Sequence, residues 1–428
     1  MGTSQSIYKI RVRELRFGMY VSKLDRPWLE TPYSIQGILI KTMEDILELE
    51  RHCVFVYVDF NKSESHIVKK YSSCTLNTVK IHETKKTSPR AYKTPRAAVE
   101  KTPFHGSQIY TDTRTVEEEL PVAAKVHHIA QEVIKAIRTN YEHSNNIEVR
   151  DARNAVYAMS DSIVRNPDAM LLLAQLKSSG ELLYDNAVNN SILLLAFGRH
   201  LGLPRAELSL LGLGGLLMDI GKLRVPAEIT AKVDFLDAEE LTQLKKHVTH
   251  GETIIKQSGD IPEAVFDIVS QHHEREDGSG YPRGLNANQL NTYARMAAIV
   301  DSYQELVRSQ PNSPTPKTSQ VFNLLKKQSS YGLNATLVEQ FAHCVGFFPV
   351  GSLVELNSGE VAIVLTHSRS KRSLPEVMVV LDTNKKPYDS PETRDLKLLK
   401  PGPDGIPYTI VQDLPHGAYN IDIKKYYL

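Results

Sequence analysis

A histidine doublet, His272 and His273, is the part of this sequence whose side chains could most readily perform chemistry. The two residues end an apolar, helix-like stretch and precede the glycine-rich turn G-S-G-Y-P, where backbone can approach a ligand closely. Adjacent helical residues point about 100° apart, so both rings reach one ion only near a helix end or with help from other elements. The pattern predicts a metal site, whereas a histidine standing alone is better interpreted as an ordinary surface or core residue.

Three other segments carry candidate ligands for the same site. The run L-L-G-L-G-G-L-L-M-D-I-G-K predicts a buried helix that closes near Gly221, and it takes Asp219 and Lys222 into apolar surroundings. A carboxylate and an ammonium are costly to bury unless they are paired, hydrogen-bonded or bound to a metal, so the pair indicates a site. His247 and Asp301 complete a set of nitrogen and oxygen donors that suits a first-row ion such as iron, manganese, zinc or nickel.

These segments resemble the HD-GYP family, the cyclic-di-GMP phosphodiesterase branch of the HD metal-dependent phosphohydrolases. The family signature HHExxDGxGYPxGL is matched at every fixed position by H-H-E-R-E-D-G-S-G-Y-P-R-G-L. Further similarity lies in M-D-I-G-K-L-R-V-P, in K-K-H-V-T-H-G and in R-M-A-A-I-V-D. The segment F-P-V-G-S-L-V-E-L resembles the strand-rich extension that often follows this domain, and residues 7–59 resemble the module that often precedes it.

The resemblance implies an all-helical catalytic region that hydrolyses a cyclic dinucleotide with two or three metal ions, iron or manganese being preferred. It implies that Asp219 bridges ions and that Lys222 faces the phosphate. One ion would be completed by three imidazoles, those of His247, His272 and His273, and Asp301 would bind the neighbouring ion. The turn residues implied to shape the substrate pocket, and to offer a surface to a protein partner, are Gly278, Gly280, Tyr281 and Pro282.

The sequence departs from the family pattern in the ligand set itself. Met218 replaces the first histidine of the HD pair, and its thioether is a poor ligand for hard divalent ions. Asn186 replaces the family's first helical histidine, and Leu182 stands where some members carry a carboxylate. Beyond Asp301, the positions of an arginine and a lysine that contact the dinucleotide phosphates hold Gln310 and Ser313, so a bidentate phosphate contact is lost.

Because the retained ligands belong mainly to one ion, we predict one competent metal position, one defective one and fewer bound ions. Asn186 could still bind a metal weakly through its amide oxygen, with Asn189 and Asn190 nearby, but a polar residue that fills a vacated site is the better interpretation. Met218 can be interpreted in a similar way, as an adaptable apolar side chain that packs where the family has a ligand.

Three functional hypotheses follow. The first is a bacterial cyclic-dinucleotide signalling protein whose hydrolysis is weakened or lost, so that it acts mainly as a sensor. The second is an active phosphodiesterase on cyclic-di-GMP or on a mixed cyclic GMP-AMP dinucleotide. The third is a non-catalytic, partner-binding scaffold, which the loss of the phosphate contacts favours somewhat.

The amino-acid composition and charge limit the class of protein, the kinds of partner and the location. The chain has 428 residues, of which 41% are apolar and 24% charged, as in an ordinary globular protein. A formal charge of +1 argues against duplex nucleic acid or an anionic membrane as a partner. Three separated cysteines indicate no disulfide framework, and no signal peptide or membrane anchor is visible, so we expect a cytoplasmic location.

The predicted fold class is mainly α. We expect a small α+β module over residues 1–79, with alternating strands around a helix near residues 42–50, and Trp28 is best interpreted as a core residue. A basic flexible linker would follow over residues 80–114. The helical HD-type domain is predicted over residues 115–345, with His127 and His128 as helix-face residues, and the strand-rich extension over residues 346–428.

Overall fold

The computed structural model places most of the chain in helices and small antiparallel sheets, and the predicted fold class is confirmed. The residues that the structure describes are 7–12, 15–25, 38–42, 45–46, 49–50, 53, 55–60, 62–63, 104–176, 182–230, 232, 236–259, 261–307, 316–367, 373–399, 406–415 and 417–426. Trp28, Cys74 and the predicted linker from residue 80 to 103 lie outside them. The chain divides into two compact units, residues 1–97 and 98–428.

The first unit contains an antiparallel sheet in the order β1-β4-β2-β3. Its strands are β1 (Ile7–Arg11), β2 (Tyr20–Leu24), β3 (Ile38–Leu39) and β4 (Phe55–Asp59). The period-2 pattern that predicts these strands is visible in β4, where Val56 and Val58 are fully buried and their neighbours are partly exposed. Helical residues at 45–46 and 49–50 lie within the predicted helix.

The second unit is built mainly from helices. The α-helices are α1 (Val116–Ser144), α2 (Val149–Arg165), α3 (Pro167–Leu176), α4 (Leu182–His200), α5 (Arg205–Leu217), α6 (Ala227–Thr230), α7 (Ala238–Lys245), α8 (His247–Gln257), α9 (Glu263–Gln271), α10 (Thr292–Val307), α11 (Thr318–Gln328) and α12 (Ala335–Val345). Thr115 and Glu118 form a capping box that fixes where α1 begins, and Asn145 ends that helix in the left-handed conformation.

Residues 104–114, which the sequence places in the linker, pack against the helices. Gly106 N donates to Leu201 O at 2.8 Å, and the Tyr110 hydroxyl donates to Leu203 O at 2.8 Å. Phe104 and Tyr110 also pack against the main core. Aromatic side chains can bury enough apolar surface to order a short segment, which a count of basic and polar residues does not reveal.

Helix α5 contacts its neighbours through glycines. A methyl group at Gly214 would lie 2.3 Å from Ile268 Cδ1 on α9, and one at Gly215 would lie 2.9 Å from Asn190 O on α4. The G-L-G-G run therefore allows a close approach that a larger residue would prevent. The helix ends at Leu217, not near Gly221 as predicted, and a 3₁₀ turn follows over Ile220–Arg224.

A second antiparallel sheet follows the helices, in the order β8-β7-β6-β5-β9. Its strands are β5 (Leu353–Leu356), β6 (Val361–Thr366), β7 (Glu376–Leu381), β8 (Pro387–Asp395) and β9 (Ile410–Leu414). Val361 and Ile363 pack into the same core as the helices, whereas Val354 and Val364 face a separate small core of the sheet. Within the described residues, no helix is both long and apolar enough to cross a membrane.

Candidate metal centre

Two close contacts, each at a glycine, join the 3₁₀ turn after α5 to α8 and α8 to α9. A methyl group at Gly221 would lie 1.8 Å from His247 O, so only glycine allows the 3₁₀ turn to rest on the first turn of α8. Gly251, one turn further along α8, would meet Val269 of α9 at 2.9 Å if it carried a Cβ. The two glycines thus set the spacing at which Asp219 and His247 face α9.

Three imidazoles converge at this junction. The ligating atoms of His247, His272 and His273 all lie within 4.8 Å of one another, and the three residues are at least 92% buried. His272 is the C-cap of α9, and His273 lies just beyond the helix end. A helix end is the place where two adjacent side chains can turn toward one point.

The hydrogen bonds of the rings fit a metal ligand set. Nδ1 of His247 donates to Leu244 O at 2.7 Å, and Nδ1 of His272 donates to Val269 O at 3.0 Å. Each neutral ring then presents an unprotonated Nε2, and the two Nε2 atoms face each other at 3.3 Å. Two nitrogens that share one ion at about 2.1 Å are about 3.0 to 3.4 Å apart, so the donor set fits a divalent ion.

Asp219 and Lys222 join this cluster as an ion pair. Asp219 Oδ1 lies 3.5 Å from His247 Nε2, 3.9 Å from His272 Nε2 and 2.9 Å from Lys222 Nζ. The Asp219 side chain is 11% exposed, whereas that of Lys222 is 24% exposed. The carboxylate can therefore face an ion while the ammonium still reaches solvent or a ligand.

The charge states follow from burial and pairing. Burial lowers the pKa of His247 to about 4 and that of His272 to about 3, so both rings are neutral near pH 7, as metal ligands must be. Burial alone would raise the pKa of Asp219, but the Lys222 ammonium helps to hold it well below its ordinary value. Burial opposes the charge of Lys222, and Asp219 more than offsets it, so the lysine pKa is raised.

His273 connects the cluster to α10 and to the glycine-rich turn. Its Nδ1 lies 3.4 Å from Asp301 Oδ2, and its ring stacks on that of Tyr281 at 4.6 Å. Burial and the nearby Glu305 raise the pKa of Asp301 well above its ordinary value. Asp301 therefore borders the cluster beside His273.

The turn after the doublet is organised by Glu274, a residue for which the sequence predicted no role. Its side chain is buried, and its two oxygens accept backbone hydrogen bonds from Arg283 at 2.8 Å and Leu285 at 2.9 Å. A methyl group at Gly280 would lie 2.5 Å from Glu274 Cα. An acidic residue directly after a buried histidine pair was the available signal, because a buried carboxylate needs donors.

The remaining turn residues lie at the surface. Gly278 has a φ of +79°, and Pro282 is exposed. Tyr281 is half-buried, with Lys245 Nζ 5.1 Å from its ring centroid. Among the four predicted turn residues, Tyr281 contacts the histidine cluster through its ring.

The structure describes some of the positions at which the sequence departs from the family pattern. Met218 is fully buried at the end of α5, and Asn186 is half-buried on α4. Gln310 and Ser313 lie outside the described residues, and for Leu182 only the helical backbone is described. His127 is buried and His128 exposed on α1, and neither belongs to the histidine cluster.

Comparison with known proteins supplies an independent view of this site. A family model described as an HD domain matches residues 170–334, which include the histidine cluster, and one described as a domain of unknown function matches residues 7–152. A protein of Pseudomonas aeruginosa, named a cyclic di-GMP phosphodiesterase, is 28% identical over 88% of this chain and 86% of its own length.

Two further similarities are more restricted. A Vibrio cholerae protein, named a 3'3'-cGAMP-specific phosphodiesterase, is 30% identical over 38% of this chain and 38% of its own length. A solved structure from Bdellovibrio bacteriovorus, described as an HDG"Y"P protein, aligns with a TM-score of 0.44 and 16% identity over 79% of this chain and 98% of that one. The HD-domain match covers residues 170–334 of this chain, and the similarity to the Pseudomonas aeruginosa phosphodiesterase extends over most of the chain.

Proposed function

We propose that this chain binds a cyclic dinucleotide at a single-ion metal centre and hydrolyses it weakly or not at all. One observation carries the proposal: Asp219, His247 and His272 converge within 3.9 Å. By the resemblance, the buried Met218 and the half-buried Asn186 stand where the family carries two further ligands. The relatives named for cyclic di-GMP and 3'3'-cGAMP supply the ligand class.

The proposed ligands have distinct roles. Three imidazoles and the Asp219 carboxylate would hold iron or manganese, and this ion would neutralise phosphate charge and activate water. Lys222, fixed by Asp219 at 2.9 Å, would present its ammonium to a phosphate oxygen. Asp301 would serve a second ion, but the missing histidines leave that ion with few partners, so fewer ions bind than in the family pattern.

Full phosphodiesterase activity is the second candidate, and one observation favours it. Asp301 remains 3.4 Å from His273, so a carboxylate for a second ion borders the first site. A cation bound beside Asp301 would favour the anionic form of this carboxyl, which can bind a metal. On this alternative the substrate would be cyclic-di-GMP or the mixed GMP-AMP dinucleotide, and Asn186 would contribute an amide oxygen.

A third possibility is a scaffold that docks a protein through the turn. Ser279 and Pro282 are exposed on the side of the turn that faces solvent. The same turn would serve a sensor as its output surface, so we retain it as the proposed partner site of the leading function. Because cyclic dinucleotides act as intracellular messengers in this family, we place the chain in the cytoplasm as part of the proposal.

The deciding experiment is anaerobic hydrolysis of cyclic di-GMP and 3'3'-cGAMP by protein loaded with Fe²⁺ or Mn²⁺. Asp219→Ala is the control, because it removes the carboxylate of the cluster and reveals contaminating activity. We expect product formation at the level of the control, together with one bound metal ion per chain by elemental analysis. Linear product clearly above the control would overturn the loss of hydrolysis and favour the active enzyme.

Restoring histidines at positions 186 and 218 would distinguish a dinucleotide sensor from a scaffold that binds no dinucleotide. In a sensor, Met218→His with Asn186→His should create hydrolysis where none existed, since metal and dinucleotide already bind. In a scaffold, the same double variant stays inactive and the wild type shows no affinity for either dinucleotide. Circular dichroism would verify that a histidine at the buried position 218 leaves the helices folded.

A further inference from the structure

We propose that Arg138, on α1, binds one phosphate of the dinucleotide and replaces the cationic phosphate contacts that the chain lacks beyond α10. This inference rests on the proposed function and adds a specificity-determining residue to it. Arg138 lies outside every segment that resembles the family signature, so the motifs give no reason to select it.

The observation behind this inference is a small cleft where α1 approaches the end of α5. The cleft has a volume of about 40 Å³, and the two charged side chains that line it are Arg138 and Asp219. Its remaining walls are apolar and come from four elements: Ile134 of α1, Ala187 of α4, Leu216 of α5, and Ile220 with Leu223 of the 3₁₀ turn. Roughly 10 to 15 Å³ of such space is needed to hold one water molecule, so the cleft suits a group of a few heavy atoms and is too small for a whole dinucleotide.

The chemistry of the cleft favours phosphate over a base or a sugar. A guanidinium presents five N–H donors in a planar fork that matches two phosphate oxygens. Apolar walls strengthen such a contact, because they exclude water from it. Asp219 opens onto the same cleft and belongs to the metal cluster, so a phosphate that reaches the ion would lie next to Arg138.

Arg138 pairs with a neighbour on its own helix. Its Nε donates to Glu142 Oε1 at 2.8 Å, and the two side chains are 42% and 56% exposed. An exposed pair of this kind, one helical turn apart, contributes about 0.3 to 0.5 kcal/mol. A charge-assisted contact to a phosphate is stronger, so a bound dinucleotide would draw the guanidinium from Glu142.

The resemblance to the family implies a need for such a residue. The positions at which the family carries an arginine and a lysine for the phosphates hold Gln310 and Ser313. At the cluster itself, Lys222 is paired with Asp219 at 2.9 Å, and the Arg275 guanidinium donates to His272 O at 3.2 Å, so both cations already have partners. A dinucleotide carries two phosphates, so one further cation at the edge of the site improves the charge balance.

The test is calorimetric titration of the full Mn²⁺-loaded chain with cyclic di-GMP, with chromatography to show that the nucleotide stays intact. Arg138→Gln should weaken binding about 10-fold to 100-fold, the range for a lost charge-assisted contact. Lys135→Gln is the matched control: this lysine lies three residues earlier, pairs with Glu132 at 3.2 Å and is 46% exposed. Lys135 does not line the cleft, so the affinity of the Lys135→Gln variant for cyclic di-GMP should stay within about twofold of the wild-type value.

The Glu142→Gln variant tests whether Arg138 affects binding by contacting the phosphate or by stabilising α1 through its pair with Glu142. If Arg138 binds phosphate, removing its competitor should leave the affinity unchanged or increase it. Weakening equal to that of Arg138→Gln would overturn the inference, since the pair would then act by stabilising α1. Arg138→Lys should give an intermediate affinity, because a point charge remains without the fork.

The remaining outcomes distinguish this inference from the proposed function. If wild type binds cyclic di-GMP and Arg138→Gln matches Lys135→Gln, the inference fails and the proposed function stands. If wild type binds neither cyclic di-GMP nor 3'3'-cGAMP, both fail. The inference is supported when Arg138→Gln alone among the glutamine variants loses affinity while Mn²⁺ binding is unchanged.

Discussion

At the scale of single residues, His247 and His272 are prepared for a metal before it arrives. Each ring donates Nδ1–H to a backbone carbonyl, so the orientation of Nε2 is set by the helix ends and not by the ligand. Their depressed pKa values keep the rings neutral across the physiological range, and no proton must leave them for an ion to bind. The loss of one ring should therefore remove affinity without disturbing the other.

We predict that His272→Ala lowers the Mn²⁺ affinity of the chain at least about 100-fold, because it removes a buried ligand and not a supporting group. His250→Ala is the matched control, since His250 lies on α8 three residues after His247 but does not belong to the cluster. The Mn²⁺ affinity of the His250→Ala variant should change less than about threefold. Isothermal titration with Mn²⁺ measures both, and similar losses in the two variants would argue against the cluster as the binding site.

The sequence was sufficient to select the histidine doublet as candidate metal ligands, because the doublet and its turn are contiguous in the chain. What the sequence could not provide was the partner of each side chain. Glu274 was overlooked because its two donors, Arg283 and Leu285, follow it by nine and eleven residues along a folded turn. The approach of Gly221 to His247 depends on how two elements pack, which no local pattern encodes.

At the scale of elements, α5 and α9 are held at a distance that only glycine permits. We predict that Gly214→Ala destabilises the protein by about 1 to 3 kcal/mol and weakens Mn²⁺ binding, although alanine favours helix by about 1 kcal/mol. The cause is the 2.3 Å approach of the new methyl group to Ile268 Cδ1, which would push Asp219 away from His272.

The control for this prediction removes the clashing atom. Ile268→Val deletes Cδ1, so the double variant Gly214→Ala with Ile268→Val should recover part of both the stability and the Mn²⁺ affinity. Urea unfolding and metal titration of the two single variants and the double variant form a thermodynamic cycle. Strictly additive losses would show that the two side chains do not interact, contrary to the packing described.

Helices α1 and α2 are joined by a buried ion pair whose contribution depends on pH. Glu119 is fully buried and accepts hydrogen bonds from Arg165 at 2.7 and 2.8 Å and from Ser162 at 2.8 Å. Burial alone would raise the pKa of Glu119, but these donors hold it below its ordinary value of 4.5. Its stabilising effect is therefore complete above the unfolded-state pKa and is lost as the pH falls through the lower folded-state pKa.

We predict that Glu119→Gln costs about 3 kcal/mol at pH 7, the low end for a broken buried pair, because Arg165 remains 29% exposed. The difference between wild type and variant should shrink as the pH falls below 4.5, since the wild-type carboxylate then becomes protonated. Urea unfolding at a series of pH values measures it. A difference that stays constant down to the lowest pH at which the protein folds would exclude Glu119 as the titrating group.

At the scale of the whole molecule, the helices and the second sheet are not independent. The sequence predicted a boundary at residue 345, because helical periodicity ends there and strand patterns begin. Val361 and Ile363 nevertheless share the core of the helices, together with Phe341 of α12. Periodicity reveals which face of a strand is buried, but not what buries it, so a domain boundary within residues 98–428 remains a prediction.

A buried carboxylate connects the two parts. Asp168, in the first turn of α3, accepts hydrogen bonds from Thr366 Oγ1 at 2.8 Å and His367 N at 3.1 Å at the end of β6. We predict that Asp168→Ala costs about 2 to 4 kcal/mol, because two donors lose a charged acceptor. We also predict faster hydrogen exchange in both α3 and β6, since each is fixed by the same side chain.

The matched control is Asp161→Ala, which removes an aspartate of α2 that is 54% exposed and bound to the exposed Arg205 at 2.7 Å. Its cost should stay below about 1 kcal/mol, as for other surface pairs. Urea unfolding and exchange measured by mass spectrometry would compare the two variants. If Asp168→Ala quickened exchange in β6 alone and left α3 protected, the sheet would be an appended domain; joint loss of protection would make helices and sheet one cooperative unit that carries the metal cluster.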